Sequence, residues 1–197
     1  MKNLRQVFIA GILSLMAAIA ITAQTPVTTG EMTAAGVEAA KKGDYKTANE
    51  WYTKVLKLNP DDPKILYARA GTFVMIKKVD QAIKDLDVIL AAQPQNVAVL
   101  YARASYLNMK GDYKKAAQDA EAILKIAPDH AGAFQARGGA YFGLKKYKES
   151  EADLTKAISL APRDHVNYTV RAALYEVQGM AAQAQADKIK AQQLQGQ

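Results

Sequence analysis

Four prolines, Pro60, Pro94, Pro128 and Pro162, stand 34 residues apart in a chain of 197. Proline has a fixed φ and no N–H to donate, so it cannot continue a helix. Stops at one fixed interval cut the chain into units of equal length, which is the mark of a repeat architecture. The segments leading to each stop align: "YKTANEWYTKVLKLNP" (45–60), "VDQAIKDLDVILAAQP" (79–94), "YKKAAQDAEAILKIAP" (113–128) and "YKESEADLTKAISLAP" (147–162). A weaker copy without the proline, "MAAQAQADKIKAQQLQ" (180–195), closes the series.

Each unit reads as two helices. A first run of apolar periodicity, such as "PKILYARAGTFVMI", is helix A. A short break comes next, at 42–45, 77–80, 110–113 and 145–148, twice spelled "KGDY". Glycine there ends helix A in the left-handed conformation, and the adjacent Asp is expected to cap helix B. Helix B then runs to the proline. Ala is abundant and β-branched runs are scarce, which favours helix throughout. Small residues recur where the two helices must cross: Gly36, Ala70, Ala104, Gly138 and Ala172 in helix A, and Ala48, Ala82, Ala116, Ser150 and Ala184 in helix B. Larger side chains at a crossing overpack it.

The period, the prolines and these small positions resemble the tetratricopeptide repeat family. Its bulky helix A position is filled by Met32, Leu66, Leu100, Phe134 and Tyr168, and its aromatic positions by Tyr45, Tyr52, Phe73, Tyr113, Tyr141, Tyr147 and Tyr175. The resemblance implies an all-α fold: a right-handed superhelical solenoid of antiparallel helix pairs, with four 34-residue repeats and a degenerate C-terminal capping repeat, over 31–195. The last unit shows what a cap needs. One helix B position reads Tyr52, Leu86, Ala120, Leu154 and then Lys188, and another Leu56, Leu90, Leu124, Ile158 and then Gln192. A terminal unit must present water with a polar face.

One helix A position holds Arg69, Arg103, Arg137 and Arg171, and one helix B position holds Asp85, Asp119, Asp153 and Asp187. Pairing runs either within a unit or to the next. The first unit has Ala35 and Trp51 and so lacks both members together, which favours pairing within units. Four copies of one pair argue for architecture rather than catalysis.

The resemblance also implies a function. In that family the helices A line a concave groove that receives a peptide or protein segment. The groove positions carry over to Tyr67, Gly71, Val74, Met75, Tyr101, Ser105, Asn108, Met109, Gln135, Gly139 and Phe142. A subgroup clamps a C-terminal carboxylate with Lys, Asn and Arg, but here those positions hold Tyr67, Gly71, Tyr101, Ala102 and Ser105. An apolar or mixed segment is the expected occupant. The alternative is a structural assembly subunit that uses helix edges or the convex face.

Other functional classes have little to stand on. There is no cysteine, and His130 and His165 lie in the links between units, where they read as exposed. No catalytic, phosphate-binding or calcium-binding motif is present. No enzyme activity, metal or cofactor is expected. The net charge is +7, yet Lys, Asp and Glu are interleaved, so no nucleic-acid partner is expected.

The first 23 residues have a different character. Lys2 and Arg5 precede an uncharged run from Val7 to Ala23, and a polar 24–30 stretch comes after it. That is the layout of a secretory signal peptide, cleaved after Ala23 or Ala20. At 17 residues the run is short for a membrane span, the rival reading. An exported protein of the periplasm or cell envelope, with no span after cleavage, is the expectation.

Overall fold

The computed structural model describes residues 28–196, which form ten helices and no strand. The helices A are α1 (Thr29–Lys41), α3 (Pro63–Met75), α5 (Val97–Lys110), α7 (Ala131–Gly143) and α9 (His165–Val177). The helices B are α2 (Tyr45–Leu58), α4 (Val79–Ala92), α6 (Tyr113–Ile126), α8 (Tyr147–Leu160) and α10 (Ala181–Gln195). Each helix packs on its sequence neighbours, and α7 also touches α5 and α9 across units. The result is an all-α superhelical solenoid. The signal-peptide reading lies outside the described residues, and among those described no helix is long and apolar enough to cross a membrane. Helix α1 starts inside the 24–30 stretch because Thr28 and Glu31 form a reciprocal capping box.

The two kinds of turn have separate causes. From B to the next A, the residue before each proline leaves the helical region: Asn59, Gln93, Ala127 and Ala161 have φ between −136° and −131° and ψ between 67° and 87°. The proline ring forces that choice. Side chains then cap each following helix A: Asp62 accepts from Lys64 N and Ile65 N, Asn96 from Val99 N, His130 from Ala133 N and Asp164 from Val166 N.

From A to B the chain reverses through one left-handed residue, repeated every 34 positions. Gly43, Gly111 and Gly179 take φ of 78°, 89° and 74°, but Lys77 and Lys145 take φ of 61° in the same role. The same backbone bond closes every turn, for example Asp44 N to Ala39 O (2.9 Å) and Lys78 N to Phe73 O (2.7 Å). A lysine there carries the left-handed penalty of an L-residue, about 1 kcal/mol. Lys77→Gly and Lys145→Gly are therefore expected to stabilise the protein by about 0.5–1 kcal/mol each, less than the full penalty because glycine gains chain entropy when unfolded. Urea unfolding of the single variants checks this. The Asp beside the turn caps helix B only once. Asp44 accepts from Thr47 N, whereas Asp112 makes no cap bond and its carboxylate lies 3.2 Å from Lys115 Nζ.

The core runs along the whole array between the two helix layers. Leu86, Ile123, Leu154 and Leu174 are fully buried, each stabilising the fold by about 2 kcal/mol. The array ends as a cap should: Leu154 is fully buried while its counterpart in α10, Lys188, is exposed, as is Gln192.

The repeated ion pairs form within units. Arg69, Arg103, Arg137 and Arg171 each give Nε and Nη2 to the two carboxylate oxygens of Asp85, Asp119, Asp153 and Asp187, at 2.7–2.9 Å. The Asp residues are only 5–6% exposed. A third nitrogen reaches back to the previous unit: Nη1 of Arg69 donates to Thr53, of Arg103 to Asp87 and of Arg171 to Thr155. One guanidinium thus joins both helices of its unit and the helix B before it.

Candidate protein-binding face

Of the eleven positions expected to line a groove, three on helices α3 and α5 are exposed. Tyr67 is 44% exposed, Met75 56% and Met109 63%. Around Gly71 a side-chain carbon would meet nothing within 4 Å. Tyr67 and Met75 stand one helical turn either side of that open backbone, Met109 holds the Met75 position in the next unit, and thioethers adapt easily to irregular surfaces.

The other groove residues are half-buried and do two jobs. Val74 and Tyr101 pack on the core. Tyr101 Oη donates to Gln135 Oε1 (2.8 Å), and Gln135 Nε2 donates to Asp164 Oδ2 and Asn167 Oδ1, both at 2.9 Å. This line of bonds ties α5 to α7 and α9. Ser105 Oγ donates back to Tyr101 O (2.9 Å). Asn108 Nδ2 donates to Ala136 O (2.8 Å), and a Cβ on Gly139 would meet that amide at an ordinary contact distance of 3.5 Å. Phe142 tilts against Tyr147 with ring centres 6.3 Å apart. Burial raises the phenol pKa of Tyr101, and the Asp164 carboxylate adds to the effect, so Tyr101 remains a donor.

Four residues of this face escaped the sequence reading. His130 is half-buried, not an exposed link residue: its Nδ1 caps α7 and its ring tilts against Tyr101 at 5.9 Å. Gly132 lies so close to Tyr101 that a Cβ would fall 2.8 Å from ring atom Cε2. Asp164 and the buried Asn167 hold Gln135. The cue available was the capping Asp or His before each helix A, which places its neighbours in the first turn facing the preceding unit. His165 is also half-buried, beside Gln195 Nε2 at 3.2 Å.

Comparison with known proteins places this arrangement. Tetratricopeptide repeat models match residues 39–106 and 131–164, about half of the chain together. A tetratricopeptide repeat protein from Parabacteroides merdae is 28% identical, with a TM-score of 0.76 over 88% of this chain and 68% of that one. MamA from Desulfovibrio magneticus RS-1 is 19% identical (TM-score 0.72, 85% of this chain and 94% of that one). The Thermus thermophilus protein TTC0263 is 24% identical (TM-score 0.70, 85% and 91%). These last two share the fold. Among curated proteins, the Hsp70-Hsp90 organizing protein of Triticum aestivum is 40% identical over 53 residues, 27% of this chain and only 9% of that protein. The phased turns, the small crossing residues and the matched models lead to one assignment: this chain belongs to the tetratricopeptide repeat family.

Proposed function

We propose that the chain is a protein-interaction scaffold that receives a segment of another protein on its helix A face, the concave groove of such arrays. The observation that carries this reading is the exposure of Tyr67 and Met75, one helical turn either side of the open backbone at Gly71, and of Met109 at the Met75 position of the next unit. Clustered exposed apolar side chains mark interaction sites, whereas single ones are ordinary. Leu58, Val88 and Ile126 on helices B are also exposed, which supports the second reading, an assembly subunit that uses the convex face.

The test uses a displayed library of random 12-residue peptides passed over the immobilised protein. Tyr67→Ser/Met75→Ser/Met109→Ser alters only exposed side chains and is expected to keep the native melting temperature while retaining about tenfold less of the bound pool. Tyr67→Ala/Tyr101→Ala serves as the second variant. Undiminished retention by both, with native folding, removes the groove; an oligomer that persists in these variants supports the convex face. Export, with cleavage after Ala23, belongs to the same proposal, and N-terminal sequencing of the protein recovered from cells tests it.

A further inference from the structure

We infer that the segment taken by this groove is uncharged: a run of small and apolar residues without acidic or basic side chains across the central units. This rests on the groove reading above and goes beyond it by naming the chemistry of the occupant.

The argument begins with where the charges are. Charged residues make up 23% of the chain, yet none of the eleven groove positions holds one. Helices α3, α5 and α7 contain only Lys64, Arg69, Arg103, Lys110 and Arg137. The three arginines are taken up by Asp85, Asp119 and Asp153. Lys110 pairs with Asp80 on α4, away from the groove positions. Lys64, in the first turn of α3, is what remains. Helices α3, α5 and α7 carry no carboxylate. One groove residue, Gln135, bonds a carboxylate: Asp164 accepts from Gln135 Nε2 (2.9 Å) and from Val166 N (3.0 Å). Apart from Lys64, the cations of these three helices are offset by carboxylates of helices B, whose eleven Lys against ten Asp and Glu leave a net charge of only +1.

A charged side chain pressed between Gly71 and Met109 leaves water and meets no opposite charge at any of the eleven groove positions, an unfavourable exchange. An apolar side chain loses nothing of that kind and gains contact with Met75 and Met109. The space at Gly71 admits the backbone of the segment. The chain's net charge of +7 would by itself favour an acidic partner, so composition and groove make opposite predictions.

The same library decides between them. The pool retained by the wild type is expected to be depleted about fivefold in Asp, Glu, Lys and Arg relative to the input. One retained peptide, synthesised with blocked ends, is expected to change its Kd less than about twofold between 50 mM and 500 mM NaCl, because no exposed ion pair is screened. A pool enriched in Asp or Glu, or Kd weakening about tenfold in salt, overturns the inference. If that pool is still lost on Tyr67→Ser/Met75→Ser/Met109→Ser, the groove stands with a different occupant. A pool indifferent to the triple variant, or no retained pool at all, removes both.

Discussion

Arg103→Ala is expected to destabilise the protein by about 3 kcal/mol, mostly through what it leaves behind. Asp119 is 6% exposed, and both its oxygens accept from Arg103, at 2.8 and 2.7 Å. Without the guanidinium a carboxylate stays in the helix crossing with no bonded partner. The reverse change is milder. After Asp119→Ala, Arg103 keeps Asp87 at 2.7 Å, and a quarter of its side chain already meets water. A loss of about 2 kcal/mol is expected there. The double variant strands no buried charge, so it is expected to cost about 3 kcal/mol, well under the sum. Urea unfolding of the four proteins measures the cycle, and additive losses would refute the coupling. An apolar pair, Arg103→Met with Asp119→Leu, is expected to sit within about 1 kcal/mol of the wild type, since ion pairs of this kind confer little net stability over good packing.

That pair marks a boundary between what the letters disclosed and what they did not. Phase alone located the turns, the crossings and the Arg–Asp partners, because each depends on residues at one fixed offset within a unit. The backward reach of Arg103 to Asp87 was also written in the sequence. The residues sixteen before the four arginines are Thr53, Asp87, Glu121 and Thr155, all with side-chain acceptors. A helix A lies between two helices B, so it has partners at equal distances on either side along the chain. In the third case, beside Arg137, Glu121 accepts from Tyr141 (3.3 Å) instead.

The candidate binding face was only half legible, and two copies of "LYARA", at 66–70 and 100–104, show why. Tyr67 and Tyr101 occupy the same repeat position. One repeat further along, Tyr101 meets Gln135, an amide that accepts its hydroxyl, and Gly132, which admits its ring. Tyr67 has Tyr101 and Ala98 at those positions, and it stays 44% exposed. Periodicity assigns a residue to a face. Its neighbour in the next unit decides whether it remains there as surface or is drawn into the packing.

The same dependence on a partner sets the second large effect. At the crossing of α1 and α2, a Cβ on Gly36 would lie 2.7 Å from Tyr52 Cε1 and 3.0 Å from Cδ1. Tyr52 is 3% exposed and cannot swing aside into water. Gly36→Ala would ordinarily gain about 1 kcal/mol of helix propensity. Here overpacking outweighs that gain, and a net loss of about 2 kcal/mol is expected. The second unit solves the same crossing with Ala70 and Leu86, both fully buried. Tyr52→Leu alone leaves a void beside Gly36 and is expected to cost about 2 kcal/mol. Placed together, Gly36→Ala and Tyr52→Leu rebuild the arrangement of the next unit, so the double variant is expected to lose no more than about 1 kcal/mol, a coupling of about 3 kcal/mol. Thermal unfolding of the three variants reads this directly. If the double variant falls by the sum of the two losses, shape matching at the crossing is not what fixes the glycine. If it recovers, the glycine of the first unit is fixed by the bulk of the side chain sixteen positions later, Tyr52.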